Sequence, residues 1–375
     1  MNSEVHPAVV AVVLFMAAVG VAVWMWGSGV AASFGGPAEL STDPHGHRFV
    51  QIQNYLVEHD ADGVYLETHD LEQLGVEVLL GGHAFFSDGD ILLRRGPDQR
   101  SFLDNIRAYA RETNRTSILP ESAESGLFRC SLESLACTRI GEEGIDFKAA
   151  YSVFIDWESD EVYISDTTRH LLRKYSSDGA EQAAPGRGFK FPNQLLLHDG
   201  QLLVADTNHH VIRSVESRSS EFAQFIDAYD VMPASAKAAQ QTWPSHFARV
   251  GEQWWVNNMQ AGMNLGGIYV FDNEWEFIRR IDLPNDADPI SILAGGDSVW
   301  VSDWNSDAVR RFSTAGEALP NLESAGLDAI LETSRQERLK FTILSFAGVA
   351  VVVLLFLVLI VRALASGPVR TRNRD

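Results

Sequence analysis

A four-residue phrase recurs through this chain. It reads Phe85-Phe86-Ser87-Asp88, Tyr163-Ile164-Ser165-Asp166, Leu203-Val204-Ala205-Asp206, Trp255-Val256-Asn257-Asn258 and Trp300-Val301-Ser302-Asp303. Each copy sets a bulky residue, an aromatic or β-branched residue and a smaller residue before Asp or Asn. The intervals between the closing residues are 78, 40, 52 and 45. Short β-like runs repeating every ~40–45 residues are the signature of propeller blades.

The unit extends on both sides of the phrase. Ser152, Pro192, Pro244 and Pro289 lie 14 residues before the closing Asp or Asn. Proline suits the first position of a strand, where no ladder hydrogen bond is lost. Between opener and phrase lie turn pairs: Ser159-Asp160, Asp199-Gly200, Gly251-Glu252 and Gly296-Asp297. After the Asp, Leu172, Ile212 and Val309 alternate with Arg173, Arg213 and Arg310, the pattern of a half-buried third strand. A fourth strand is clearest in Glu276–Ile281. Because Asp88, Asp166, Asp206, Asn258 and Asp303 recur blade after blade, they read as structural corners that accept backbone N–H groups. The repeated arginines read as a solvated strand face or as inter-blade pairs.

Val162–Tyr175 and Leu203–Arg213 resemble NHL repeats, whose pattern runs roughly V-A-D-T-x-N-H-R-I-R-K-F. His170 and His210 fall on the family's His, whereas Asn208 sits one place away from its Asn. The long interval between Asp88 and Asp166 reads as one blade with an insertion: a helix over 101–111, then an outer hairpin of Leu127–Cys130 and Cys137–Ile140. Val64–Leu74 resembles the hairpin at Ile268–Ile281 and adds a further blade. The expected fold is all-β, a six-bladed NHL-like propeller over 48–320, with seven blades as the alternative.

Two apolar segments flank this region. Residues 7–26 and 341–364 read as helices, and residues 7–26 and 341–361 are each about 20 uncharged residues, enough to cross roughly 30 Å of hydrocarbon. Residues 1–6 form a short tail, 27–47 and 321–340 linkers, and 365–375 a basic tail. The first segment lacks a preceding Lys or Arg and is read as an uncleaved anchor rather than a signal peptide. Arg362, Arg370, Arg372 and Arg374 favour a cytoplasmic C-terminus, so both termini are expected in the cytoplasm and the propeller outside it, in the periplasm if the cell is bacterial. Cys130 and Cys137 are the only cysteines. With Glu133-Ser134 as the turn between them they would face each other, which predicts a disulfide in an oxidising compartment.

Residues 27–340 hold 48 acidic and 26 basic side chains, which makes nucleic acid or an anionic membrane surface a poor partner. Asn114-Arg115-Thr116 is one glycan-acceptor triplet. The sequence carries no phosphate loop, zinc-spaced Cys/His cluster or nucleophile elbow, and no cofactor is expected. Phe191-Pro192-Asn193-Gln194 is similar to the Pro-Asn-Gly of gluconolactonase-type propellers, whose Asn binds a metal. That resemblance implies Ca2+ or another divalent ion at Asn193, although Gln194 replaces the Gly, and the accompanying Glu near the chain start and later Asp are not legible. His246, on an inner strand, is the candidate general base or ligand in that alternative. Trp254, Trp304, Met259 and Met263 are candidates for a surface that binds a protein, peptide or glycan. The leading expectation is therefore a membrane-tethered binding or scaffolding module. The alternative is a metal-dependent hydrolase or lyase acting in the central channel.

Overall fold

The computed structural model describes residues 7–76, 79, 81–95, 126–141, 151–232, 243–260 and 265–365. The predicted 101–111 helix, the Asn114 triplet, Met263 and the three arginines beyond Arg362 lie outside the described residues. The chain divides into two compact units, residues 36–330 and a second made of residues 1–35 with 331–375.

The larger unit is a six-bladed propeller. Blade 1 comprises β1–β4 (Leu40–Thr42, Arg48–Ile52, Tyr55–His59, Tyr65–Asp70), and blade 2 comprises β5–β8 (Ala84–Phe85, Ile91–Arg95, Gly126–Cys130, Cys137–Ile140). Blade 3 has β9–β11 (Tyr151–Asp156, Glu161–Asp166, Leu171–Tyr175), extended by bridges from Gly186 and Glu181. Blade 4 is β12–β15 (Pro192–His198, Gln201–Asp206, Val211–Glu216, Phe225–Asp230) and blade 5 is β16–β19 (Trp243–Val250, Gln253–Met259, Gly266–Phe271, Phe277–Arg280). Blade 6 is β20–β23 (Pro289–Gly295, Ser298–Asp303, Ala308–Ser313, Ala318–Leu319). The first strands of successive blades meet at the centre, and β1 returns to β20.

The apolar cores lie between blades, so both faces of each sheet are buried. In β21, Val299 and Val301 pack toward blade 5, while Trp300 covers Gly63 of blade 1. In β17, Trp254 and Val256 face blade 4, and Trp255 faces blade 6. This is the period-2 geometry of a strand read into two cores at once. Every sheet is made of consecutive strands, so no strand is shared across the seam between blades 6 and 1. Side chains close it instead. Arg48 donates to Gly295 O (2.5 Å) and Ser298 Oγ (3.2 Å), and its guanidinium lies 4.7 Å over the Trp300 ring.

Several expectations change. The ring begins at β1, upstream of residue 48. Phe85 belongs to the short inner strand β5, and Asp88 sits in the following tight turn, where Phe86 N donates to Asp90 O (2.8 Å). Asp88 is 54 % exposed and ion-paired with Arg129, so it is not a corner of the repeating kind. Its Ser-Asp-Gly-Asp turn mimics the phrase in composition only. Val64–Leu74 contributes β4 and a 3-10 turn rather than a whole hairpin. Cys130 and Cys137 pair directly across β7 and β8 and are disulfide-bonded. Their connection spans Ser131–Ala136, with Leu135 N bonded to Ser131 O, and is longer than a two-residue turn.

Two helices complete the chain. α1 (Pro7–Ser33) runs beyond the expected 26, and α2 (Ala325–Ala365) takes in most of the expected 321–340 linker. The reason is local: Ser324 Oγ accepts from Leu327 N (3.3 Å) as an N-cap, and Leu, Ala, Glu and Arg follow it. Both helices are long and apolar enough to cross a bilayer. Within the smaller unit they run antiparallel. Ser28 Oγ meets Ser345 Oγ at 2.7 Å, and Trp26 and Phe34 flank Phe341. A Cβ on Gly348 would lie 2.6 Å from Gly20 O, so glycine permits the close approach that apolar helices use when they pack.

Candidate functional site

The repeated residues are accounted for by the ring. Asp206 is fully buried; its carboxylate accepts from Lys190 N (2.8 Å) and pairs with His209 Nδ1 and Arg213 Nε, both at 2.8 Å. Asp303 does the same with Asp288 N (3.0 Å) and Arg310, and Asp166 with Arg169 and Arg173. The repeated arginines thus serve the corner of their own blade, rather than a solvated face or a neighbouring blade. Asn258 has Tyr269 at the register position where the others have Arg, and its neutral amide donates to Val231 O (2.8 Å). The smaller residue of the phrase latches onto the next blade: Ser165 Oγ to Asn193 O, Asn257 Nδ2 to Pro289 O and Ser302 Oγ to Ala38 O, each 2.5 Å. His170 and His210 stand in left-handed turns (φ 60° and 63°) and reach the following blade through Phe191 N and the Trp243 ring.

The central channel is lined by the first strands of the blades. Asn193 is occupied there by Thr207, its Nδ2 lying 2.6 Å from that hydroxyl, which in turn donates to Pro244 O. His246 lies on β16 opposite Asn257. Its Nδ1 is buried without a hydrogen bond, and burial lowers its pKa to about 4. Among the described residues, no three His, Cys, Asp or Glu side chains converge with Asn193 or His246.

What does converge was missed in the sequence. Ser41 Oγ lies 2.7 Å from His83 Nε2, and Glu39 Oε2 lies 3.8 Å from His83 Nδ1. Glu39 precedes the three-residue β1, Ser41 is its middle residue, and His83 precedes the two-residue β5. Elements this short leave little periodicity to read. Burial pushes Glu39 up to about 8, opposed by the His83 backbone N–H, and lowers His83 to about 4. Near neutral pH the group is therefore an uncharged acid beside a neutral imidazole and a hydroxyl.

This arrangement fixes a pH dependence. His83 and His246, depressed in the folded state, contribute stability that is present above about 6.5 and lost as pH falls through about 4. Glu39, raised from 4.5, contributes stability that is present below 4.5 and lost as pH rises through about 8. Thermal unfolding midpoints of the parent and Glu39→Gln, compared from pH 4 to 9, should give a parent-minus-variant difference that falls steadily between these two values. A flat difference curve contradicts the assignment.

A second concave site lies between blades 4 and 5. Trp275 is stacked between Trp254 and Tyr229, with both ring pairs 4.8 Å apart and 8° from parallel. Arg249 lies 4.9 Å over Trp254, and His198 meets that ring edge-on at 5.0 Å. Together with Asp199, Gln201 and Asn273 these residues wall a groove of about 580 Å³. Trp254, a candidate for a binding surface, is 2 % exposed because adjacent strand residues here face different inter-blade cores. Trp304 and Met259 are half-buried elsewhere. Trp275, Tyr229, Arg249 and His198 were not singled out in the sequence. The one available signal was the Asp272–Glu276 turn, which holds Trp275 at φ 62°, a costly backbone for a bulky residue.

No protein-family model and no curated protein matches this chain. Among solved structures it is similar to virginiamycin B lyase from Staphylococcus aureus, at 16 % identity over 76 % of this chain and 84 % of that one, TM-score 0.46. It is similar to the periplasmic gluconolactonase of Pseudomonas aeruginosa, at 12 % identity over 76 % and 84 %, TM-score 0.47. A chain of the nidogen/laminin complex aligns at 12 % identity over 78 % and 94 %, TM-score 0.47. At these identities the likeness is one of fold. The chain is a six-bladed β-propeller bearing two long apolar helices.

Proposed function

We propose that this chain is a membrane-anchored, NHL-like propeller that presents a glycan-binding groove outside the cytoplasm. The observation that carries the reading is the Trp254–Trp275–Tyr229 stack walling the groove between blades 4 and 5. Its volume falls in the usual range for ligand sites, and convergent polar groups surround an aromatic wall. Leu203 is the one aliphatic side chain lining it, so the groove offers hydroxyl-bearing ligands more than it offers apolar peptide side chains. The antiparallel helices bring the start of α1 and the end of α2 to one side of their pair. The Arg-rich tail favours the cytoplasm for that side, and a bonded Cys130–Cys137 suits an oxidising compartment for the propeller. Binding of the full chain in nanodiscs to a glycan panel tests the proposal. Trp275→Ala should weaken the positive ligand at least tenfold. Binding to peptides alone, or undiminished glycan binding in the variant, overturns it.

The Ser41–His83 hydrogen bond supports a second reading, acid–base or hydrolytic chemistry in the channel. A serine-directed phosphonate should then label the parent chain and not Ser41→Ala. Equal labelling of both rules it out.

A further inference from the structure

On the outer half of blade 1, facing blade 2, a polar cluster takes no part in the channel or the groove. Glu58 on β3 lies directly opposite Glu67 on β4, and His69 follows Glu67 two residues later on the same face. One ligand atom from each of Glu58, Glu67 and His69 lies within 4.8 Å of the others. His69 Nε2 is 2.7 Å from Glu58 Oε2, and His47 Nδ1 is 2.7 Å from Glu58 Oε1. Two carboxylates directly opposed on neighbouring strands repel each other, and a cation between them would relieve that repulsion. Beside it opens a cavity of about 220 Å³, walled by Glu67, His69 and Leu71 of blade 1 and by Leu132, Glu133 and Leu135 of the disulfide hairpin.

We propose that Glu58, Glu67 and His69 form a divalent metal site of the zinc class, with the cavity as its open coordination position. One imidazole and two carboxylates are a borderline N/O set; an all-oxygen set of six or more ligands would suit Ca2+ or Mg2+ instead. Bonds of about 2.0–2.2 Å place the ligands of a tetrahedral ion roughly 3.3 Å apart, which the present spacing reaches by side-chain rotation alone. His47 holds the second oxygen of Glu58 and serves as the orienting partner that such sites use. Three protein ligands leave a fourth position facing solvent through the cavity, and the disulfide fixes the hairpin that closes it.

The test is equilibrium dialysis of the full chain, without an affinity tag and stripped with chelator, against Zn2+, with metal counted per chain. One Zn2+ should bind with micromolar or tighter affinity in the presence of excess Mg2+ and Ca2+. Cobalt in its place should give the visible absorption of a tetrahedral site. His69→Ala and Glu67→Gln should each weaken binding by about tenfold to a hundredfold, with His47→Ala nearer the lower figure. Glu67 is exposed, so Glu67→Gln keeps the fold and separates loss of metal from loss of structure, as judged by an unchanged circular dichroism spectrum. Zinc that fails to bind, or that binds equally well to the Glu67→Gln and His69→Ala variants, overturns the proposal. Neither outcome bears on the glycan groove, which lies between other blades.

Discussion

Trp300→Ala should lower the free energy of unfolding by about 4 kcal/mol, within the range for deleting a fully buried tryptophan. Trp300 is wholly buried at the seam between blades 6 and 1. Its ring packs on Gly63 and Leu322 and supports the Arg48 guanidinium, and its indole N–H donates to Ser298 Oγ (3.2 Å). Truncation leaves a void and removes the cation–π partner of a buried cation. Other contacts across this seam, Ser302 Oγ to Ala38 O and Leu40 N to Ser291 Oγ, are hydrogen bonds that do not fill the void. Trp300→Phe keeps much of the volume and should cost roughly half as much. Urea denaturation followed by circular dichroism gives the comparison. A loss below about 1 kcal/mol for the alanine variant would show that the ring is closed by other contacts.

Asp206→Ala should cost about 3–5 kcal/mol, the loss expected when one partner of a buried ion pair is removed. The carboxylate is inaccessible and satisfies Arg213, His209 and a backbone N–H at once. Removing it strands a guanidinium and an amide proton. Blade 5 shows how the corner can be rebuilt without charge, since Asn258 stands with Tyr269 in place of the arginine. The double variant Asp206→Asn with Arg213→Tyr reproduces that solution and should recover at least half of the loss. Additive losses in the double-mutant cycle would refute the reading of the corner as one coupled unit.

The ring was legible because its phrase does two jobs that recur from blade to blade. In blades 3, 4 and 6 the closing Asp pairs with an arginine seven residues on, and in blades 3, 5 and 6 the smaller residue before it holds the next blade's carbonyl. Such demands repeat with the geometry and so repeat in the sequence. Asp88 misled because a tight turn selects the same residue types for a different reason. Trp254 could not be assigned from the repeat alone, because propeller sheets are covered on both faces and residues outside the repeated phrase are buried as well. Glu39, Ser41 and His83 escaped because they meet only through the packing of β1 against β5. Their sequence separation gives no hint of a 2.7 Å contact. The groove escaped likewise: Tyr229, Arg249 and Trp275 come from three separate strands and turns.

Self-contained sheets have a consequence for biogenesis. As the polypeptide emerges from the ribosome, each blade holds all of its own strands and needs no later segment to complete its ladder. Blade 1 alone must wait, keeping Arg48 and the carbonyl of Ala38 without their partners until the final sheet is synthesised. Annealing of the torus is thus a single terminal event, and the interval before it is when the nascent protein most needs a holdase.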